Sequence, residues 1–369
     1  MTSLRSALKS ATALAAFSLS FPLASWAEEP LPVVATFSIL GDMVERIGGE
    51  HIALTTLVGP DGDTHVYQPT PKAARSVAEA DVLFLNGLEF EGWLERLAES
   101  ASFDGAMVVA TKGVVPIAFD DHDDHDDHDD HDDHDKHDDH DKHDDHDDHD
   151  DHADHDDHDD HDKHDDHDGH DDHDEHDKHD DHDNHDDHAG HDHGAFDPHA
   201  WHSLENAVIY ANNIAAGLAQ ADPENAGDYY ANRATFISEI ETLSADIDAM
   251  MKNLPSDKRT VVTAHDAFGY FGATYDLTFV APQGMSTESE ASAGDVAALI
   301  TQIREESISA VFIESLTDNR MIEQIANETG ATIGGMLYAG ALSAQSGPAS
   351  NYLDMMRHNA RTLFEALGN

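Results

Sequence analysis

Short apolar runs alternate with segments of helical spacing along most of the chain. Runs such as "PVVATFSI" and "DVLFLNG" are almost continuously apolar, as expected of strands that are buried on both faces. Between them, "GDMVERIGG" and "PKAARSVAEA" place apolar residues three and four positions apart, which is typical of amphipathic helices. The alternation predicts a parallel sheet flanked by helices before residue 120.

The same alternation returns after residue 254 and predicts a second lobe. Here "RTVVTAH", "LTFVAPQ" and "ISAVFIES" have the composition of strands, with helical segments between them. A helix is predicted over residues 223–254, because one apolar stripe runs along it, interrupted only at Ser244. The stripe consists of Tyr230, Ala234, Ile237, Ile240, Ile247, Met251 and Leu254. Such a long helix exceeds an ordinary crossover, so we expect a rigid bridge between two lobes.

The predicted fold class is therefore α/β, with two lobes that each contain a parallel sheet flanked by helices, joined by one long bridging helix. We assign residues 28–119 and 195–222 to the N-terminal lobe, 223–254 to the linking helix and 255–369 to the C-terminal lobe. Ligands of open α/β sheets bind beside the carboxyl ends of the strands, so we expect a binding site in the cleft between the lobes.

One tract interrupts this pattern. Between Asp120 and Gly194 a histidine occupies every third position from His122 to His191, mostly separated by two acidic residues. High charge and very few apolar residues predict that residues 120–194 form a disordered loop. Imidazole mixed with carboxylate suits zinc, so we expect the loop to gather Zn²⁺. The alternative is a solvated acidic spacer produced by repeat expansion.

Charge and cysteine content narrow the classes of partner. The formal net charge is -58, of which about -36 lies in the tract. This charge repels nucleic acid and anionic membranes and favours cations, so we expect no nucleic acid partner. The chain contains no cysteine, which excludes disulfides and thiolate metal sites. A bound metal must therefore be held by His, Asp or Glu.

The N-terminus resembles a secretory signal peptide over residues 1–27. A positively charged start is followed by the apolar stretch Ala11–Leu23, and small residues occupy Ser25 and Ala27. A membrane anchor is the alternative, but the stretch is short and contains Pro22. We expect cleavage after Ala27, export to the periplasm, and a soluble monomer without membrane insertion.

Three histidines outside the tract share a setting. His65 follows a strand in "GPDGDTHVYQP", His199 precedes a helix in "FDPHAWHS", and His265 ends the strand "RTVVTAH". Each lies at a loop edge where side chains can converge on a cleft. Considered singly, each would more often be a solvated or hydrogen-bonded loop histidine than a ligand, so position alone leaves both interpretations open.

The other three histidines outside the tract carry weaker expectations. We interpret His51, at the start of a strand, as structural, and His358, on the last helix, as a surface residue. His202 lies three residues after His199 at a helix start. A capping or supporting role is expected for it rather than metal ligation.

Several motifs, in this order, resemble a known family. They are "GPDGDTHVYQPTP", "ADVLFLNGLEFEGWL", "DPHAWHS", "TAHDAFGYFGATYDL", "STESEASAGDVAALI", "VFIES" and "SGPASNYLDMMRHN". Together they are similar to the cluster A-I solute-binding proteins, the metal-binding receptors that supply zinc or manganese to ABC importers. The resemblance covers the mature chain except the tract. It implies a two-lobe α/β fold, a metal between the lobes, and an ABC permease in the inner membrane as partner.

By motif, the resemblance places three metal ligands at His65, His199 and His265. Histidine at the third place resembles the zinc-type branch, whereas manganese-type members usually have a carboxylate there; imidazole also suits Zn²⁺ better than Mn²⁺. Two positions depart from the pattern: the usual fourth-ligand aspartate falls on Gly340, and Thr64 stands where some zinc-type relatives have glutamate. We expect water or a group from the tract in the fourth position.

The function indicated is an extracytoplasmic, high-affinity zinc-binding protein that delivers Zn²⁺ to an ABC import permease and is not an enzyme. A periplasmic zinc buffer or chaperone and a manganese-type receptor are alternatives. A zinc hydrolase is a further one, because three histidines and an open position also describe hydrolytic zinc sites. Against it, the sequence has no HExxH motif, and Glu288, Glu290 and Glu314 are general bases only in principle.

Overall fold

A computed structural model describes residues 29–118, 196–288 and 290–368. The predicted signal peptide, residues 1–27, and the predicted disordered loop, residues 120–194, lie outside the described residues. The described part contains two parallel four-stranded sheets flanked by helices, which confirms the predicted fold class. No helix in these three ranges combines the length and apolarity that crossing a bilayer requires.

The N-terminal sheet has the strand order β2-β1-β3-β4. Its strands are β1 (Leu31–Phe37), β2 (Ile52–Val58), β3 (Val82–Leu85) and β4 (Ala106–Val109), and its helices are α1 (Ser38–Gly48), α2 (Pro71–Ala78) and α3 (Leu94–Ala101). Strand β1 lies in the interior of the sheet and is buried from Val33 to Phe37. Its continuously apolar sequence therefore matches burial on both faces.

The C-terminal sheet has the same arrangement, in the order β6-β5-β7-β8. Its strands are β5 (Thr260–Val262), β6 (Thr278–Val280), β7 (Ala310–Glu314) and β8 (Thr332–Leu337), and the helices beside them are α6 (Gly269–Tyr275), α7 (Ala293–Glu305), α8 (Arg320–Thr329) and α9 (Tyr352–Leu367). Helix α7 starts at a capping box, in which Ser292 and Asp295 exchange side-chain to backbone hydrogen bonds.

Two helices connect the sheets: α4 (Leu204–Ala221) and α5 (Ala226–Met251). Helix α5 is the predicted bridge, although it begins three residues later and ends three residues earlier than 223–254. Its buried side packs against α1, α4 and α9. The buried residues of α5 are Tyr229, Phe236, Ile240, Leu243, Ile247 and Met251.

The predicted apolar stripe of this helix was wrong at its N-terminal end. Tyr230 is 41% exposed and Ala234 is also exposed, whereas Tyr229 is fully buried. The hydroxyl of Tyr229 donates to Asp222 Oδ2 over 2.6 Å, and the guanidinium of Arg233 covers the Tyr230 ring at 5.2 Å. Two adjacent tyrosines count equally in an apolar pattern. The pattern therefore does not show which of them is buried.

A continuous apolar core extends from one lobe to the other. It includes Phe37 of β1, Trp201, Phe268 and Tyr352. Trp201 packs on Phe37 with ring centroids 5.0 Å apart, and its Nε1 donates to the carbonyl oxygen of Ala339 over 2.9 Å. Tyr352 donates its hydroxyl to the carbonyl oxygen of Trp201 over 2.7 Å. These contacts hold the segment that contains Trp201 against β1, Ala339 and the start of α9.

Candidate metal centre

The structure brings the side chains of His65, His199 and His265 together. Their ligand nitrogens all lie within 4.8 Å of one another, and the Nε2 atoms of His65 and His199 are 3.2 Å apart. Ring centroids are separated by 5.3, 5.5 and 6.1 Å. Three loops supply them, one after β2, one before α4 and one after β5. Neutral imidazoles at this spacing can share one divalent cation.

The loop after β2 holds His65 by its backbone. Asp63 Oδ1 accepts a hydrogen bond from the His65 backbone N–H over 2.9 Å, and the indole Nε1 of Trp93 donates to the carbonyl oxygen of Thr64 over 2.9 Å. The ring of Phe90 packs against the imidazole in a T-shaped arrangement, with centroids 4.9 Å apart and an interplanar angle of 82°. The ring therefore has one apolar neighbour while its Nε2 faces the centre.

His199 is oriented by Asp197. The Oδ1 atom of Asp197 lies 2.9 Å from His199 Nδ1 and accepts the His199 backbone N–H over 2.8 Å. A proton held on Nδ1 by this carboxylate leaves the lone pair on Nε2, the atom that faces His65. Burial raises the pKa of Asp197 to about 7, while the backbone hydrogen bond from His199 opposes that shift.

His265 is oriented by Glu314, at the end of β7. Glu314 Oε2 lies 2.5 Å from His265 Nδ1, and Oε1 accepts the backbone N–H groups of Ala264 and His265 over 2.8 and 3.0 Å. Glu314 is 1% exposed. The Nε2 atom of His265 is buried and lacks a hydrogen-bond partner among the described residues. Such an atom is costly unless a cation fills the place.

The electrostatic environment favours neutral imidazole at two of the three positions. Burial and then repulsion from the neighbouring histidines hold the pKa of His65 well below its usual value. Burial, followed by the charge of His265, does the same for the pKa of His199. At His265 burial would lower the pKa, but the carboxylates of Glu314, Asp63 and Asp266 together outweigh burial and the pKa is raised. Of the three imidazoles, His265 therefore takes up a proton most readily.

A fourth side-chain ligand is absent from the cluster in the part of the chain that the structure describes. Gly340 is buried and offers no side chain, although a Cβ there would meet only Leu316 Cδ1, at 3.5 Å. Thr64 is 1% exposed, and its Oγ1 has no partner in the described residues. A cavity of about 570 Å³, lined by Asp63, Gln283 and Thr287 among others, opens beside these loops.

The remaining candidate residues lie apart from the three clustered histidine nitrogens. Buried His202 faces the carbonyl oxygen of Ala339 with Nε2 at 3.0 Å, and burial lowers its pKa to about 3, which fits a supporting role. His51 is 2.9 Å from Asp228, and His358 Nε2 is 2.9 Å from the carbonyl oxygen of Met336.

His358 is only partly exposed, so its prediction as a surface residue was incomplete. Among the candidate bases, Glu290 lines the cavity and Glu288 is exposed. Both oxygens of Glu314 face N–H groups or His265, so Glu314 orients His265 and is not a free base.

The sequence reasoning missed the orienting roles of Asp197 and Glu314, and named Glu314 only as a general base in principle. Asp197 stands two residues before His199 in "DPH", and an aspartate at that distance is a local signal for a side chain that turns back onto the backbone. Glu314 is 49 residues from His265, and only the adjacency of β5 and β7 brings them together. Its role depends on strand order.

Comparison with known proteins defines the family. The family model described as "zinc-uptake complex component A periplasmic", ZnuA, matches residues 33–366. The chain is 26% identical over 340 residues to the manganese-binding lipoprotein MntA of Halalkalibacterium halodurans, covering 92% of this chain and 89% of that protein. It is 26% identical over 336 residues to the iron-binding protein YfeA of Yersinia pestis, covering 91% and 86%.

A solved structure has the same fold. The periplasmic zinc-binding protein TroA from Treponema pallidum superimposes with a TM-score of 0.69 at 22% identity, over 92% of this chain and 99% of that one. The family model spans most of this chain, including His65, His199 and His265. The chain therefore belongs to the ZnuA family of metal-binding, substrate-binding proteins of ABC importers, which work with a membrane permease.

Proposed function

We propose that this protein captures Zn²⁺ with His65, His199 and His265 and delivers it to an ABC import permease. The observation that carries the proposal is the cluster of three imidazoles with ligand nitrogens within 4.8 Å of one another. Buried carboxylates of Asp197 and Glu314 face the Nδ1 atoms of two of these histidines. A carboxylate behind a ligating imidazole fixes its tautomer and increases its basicity.

The donor set supports zinc over manganese. All three clustered donors are imidazole nitrogens, which suit Zn²⁺, whereas Mn²⁺ prefers carboxylate, carbonyl and water oxygen. Three neutral imidazoles and a divalent ion carry a charge of +2, which the nearby carboxylates of Asp63, Asp197, Asp266 and Glu314 offset. Burial is the largest effect on the pKa of His265 and lowers it. The charges of Glu314, Asp63 and Asp266 act against burial and raise that pKa.

A manganese- or iron-selective receptor is the second candidate, because two relatives at 26% identity are named for manganese and iron. A competition titration of metal-free protein with Zn²⁺, Mn²⁺ and Fe²⁺ against a chelator of known affinity, together with growth of a deletion strain starved of each metal in turn, separates the candidates. The proposal expects Zn²⁺ to bind at least ~100-fold more tightly than Mn²⁺, in accord with the affinity order for nitrogen sites. Equal or tighter Mn²⁺ binding contradicts it.

The proposed ligands are tested one at a time. His65→Ala, His199→Ala and His265→Ala each remove one nitrogen donor and are expected to weaken Zn²⁺ binding strongly. His51→Ala is the matched control, because His51 contacts Asp228 and not the cluster. An unchanged dissociation constant in any of the three variants rules out that histidine as a ligand.

We further propose that the histidine-rich tract, residues 120–194, gathers Zn²⁺ for the tight site. A tether joined to the loop of His199 keeps released metal at a high local concentration, on the order of millimolar for short linkers and lower for one of this length. Deletion of residues 121–193 should leave one tightly bound zinc per chain and remove the weaker ones. Unchanged total stoichiometry in a calorimetric titration contradicts this role.

Export and delivery complete the proposal: residues 1–27 form a signal peptide cleaved after Ala27, and the mature protein acts as a monomer in the periplasm. A zinc buffer or chaperone that passes metal to another receptor would share the metal site. Growth under zinc starvation distinguishes them. Loss of the gene should stop uptake by the permease even when other periplasmic zinc proteins are present, whereas loss of a buffer would only delay it.

A further inference from the structure

A buried polar network next to the three histidines includes Glu91 and Asn86. Glu91 is 7% exposed, and its carboxylate accepts three hydrogen bonds. Oε1 accepts from the Thr36 hydroxyl at 2.6 Å and from the Asn86 backbone N–H at 2.7 Å, and Oε2 accepts from the Gly87 backbone N–H at 3.2 Å. The side chain thus ties the loop after β3 to strand β1.

This loop has an uncommon backbone. Three consecutive residues have positive φ angles: Gly87 at 89°, Leu88 at 54° and Glu89 at 62°. Positive φ is unfavourable for residues with a side chain, so the surrounding structure must hold the loop in this shape. The carboxylate of Glu91 does so by accepting the first two N–H groups of the turn.

The constrained loop places Phe90 against the candidate ligands. Phe90 is 3% exposed, and its ring centroid lies 4.9 Å from that of His65 and 5.9 Å from that of His199. It also contacts Trp201 at 4.9 Å. Phe90 is therefore a wall shared by two of the three imidazoles, and its position is set by the residues on either side of it.

Asn86 joins the same loop to the segment that carries His199. Its Nδ2 donates to the carbonyl oxygens of Gly87 and Pro198 over 3.0 and 2.9 Å, and its Oδ1 accepts the Tyr210 hydroxyl over 2.5 Å. Pro198 immediately precedes His199. The amide is fully buried, so each of these bonds is expensive to lose.

We infer that Glu91 and Asn86 are positioning residues for the metal site, which set the separation of His65 and His199 through Phe90 and Pro198 before metal arrives. The inference rests on the proposed function, because it assigns a role to residues that touch neither metal nor ligand nitrogen. A preset separation of 3.2 Å between Nε2 atoms favours a small ion with short nitrogen bonds.

Glu91→Gln tests this with little change in shape. The amide can still accept the Thr36 hydroxyl and the Asn86 N–H through its oxygen, but its NH₂ group then faces the Gly87 N–H, donor against donor. The matched control is Glu89→Gln, which makes the same charge change on an exposed side chain of the same loop. Phe90→Leu is the second variant, because it keeps an apolar wall but alters its shape.

The measurements are the Zn²⁺ dissociation constant, the visible absorption of bound Co²⁺ and the melting temperature of the metal-free protein. We expect Glu91→Gln and Phe90→Leu each to weaken Zn²⁺ binding about 10-fold or more and to change the Co²⁺ spectrum, with Glu89→Gln like the wild type. Both substitutions act through the position of Phe90. The loss of Zn²⁺ affinity in the double variant should therefore be much smaller than the product of the two single losses.

The inference is overturned if Glu91→Gln binds Zn²⁺ as tightly as the wild type. It is also overturned if the loss of Zn²⁺ affinity in the double variant equals the product of the two single losses. If Glu91→Gln does not fold, Phe90→Leu decides: weaker binding at an unchanged metal-free melting temperature supports the inference, and unchanged binding overturns it. Two results would instead refute the proposed function, and this inference with it. One is a wild-type protein that binds no Zn²⁺, and the other is a His265→Ala variant that binds Zn²⁺ as tightly as the wild type.

Discussion

The carboxylate of Glu314 offers the sharpest test of how the site prepares its ligands. Oε2 lies 2.5 Å from His265 Nδ1, and Oε1 accepts two backbone N–H groups. In Glu314→Gln the oxygen can keep both backbone bonds, so the amide NH₂ faces Nδ1 and donates to it. The ring proton then moves to Nε2, the atom that must offer a lone pair to the metal.

The magnitude follows from this tautomer change. Loss of a carboxylate behind a ligating histidine weakens metal binding by about 10- to 100-fold, or ~1.4 to 2.8 kcal/mol. The pH dependence changes as well. In the wild type burial would lower the pKa of His265, but Glu314, Asp63 and Asp266 together raise it, so Zn²⁺ affinity falls as the pH drops through that raised pKa. Without the carboxylate, burial lowers the pKa, and proton competition moves to more acidic pH.

The assay is a competition titration of Zn²⁺ at several pH values from about 5.5 to 8.5, a range chosen around the usual histidine pKa. Glu314→Gln should bind Zn²⁺ more weakly than the wild type at alkaline pH, where the affinity is constant. Its Zn²⁺ affinity should fall less steeply as the pH is lowered. Glu288→Gln is the matched control, since Glu288 is exposed on a neighbouring loop. Plateau affinity equal to the wild type, or an unaltered pH profile, refutes the proposed orienting role.

Three further outcomes are expected. Asp197→Ala should also weaken Zn²⁺ binding by about 10-fold, because it removes the acceptor that orients His199 Nδ1; equal binding in a titration contradicts this. Gly340→Asp adds a carboxylate at a position where the nearest atom to a Cβ is Leu316 Cδ1, at 3.5 Å. The added oxygen donor should reduce the ratio of Zn²⁺ affinity to Mn²⁺ affinity. An unchanged ratio argues against a fourth-ligand position there. Tyr229→Phe should lower the free energy of unfolding by ~1 kcal/mol through loss of the bond to Asp222, whereas Tyr230→Phe should be silent in urea denaturation; equal effects contradict the assigned helix face.

The architecture was predictable because its signals are periodic. Continuously apolar strands such as β1 and the long helical pattern of α5 indicate type and order of elements without knowledge of contacts. The buried face of α5 was harder to predict, because Tyr229 and Tyr230 are adjacent and alike. Their roles differ because Asp222 and Arg233 provide different partners, and these contacts exist only in the folded helix.

The three clustered histidines were named from motifs, but the groups that prepare them were not. Asp197 lies close to His199 in sequence, whereas Glu314 meets His265 only through the pairing of β5 with β7. The Glu91 network depends on three positive φ angles and on burial, neither of which a residue pattern reveals. Apart from Asp197, the groups that sequence reasoning missed are therefore partners distant in the chain.

The central claim is that His65, His199 and His265 bind one Zn²⁺ together. X-ray absorption spectroscopy of the zinc-loaded protein lacking residues 121–193 tests it most directly, because only the cleft site then remains. The account predicts three imidazole nitrogens at about 2.0–2.1 Å from zinc, one further light atom, and loss of this signal in His265→Ala. A first shell dominated by carboxylate oxygen, or a spectrum unchanged in His265→Ala, would contradict it.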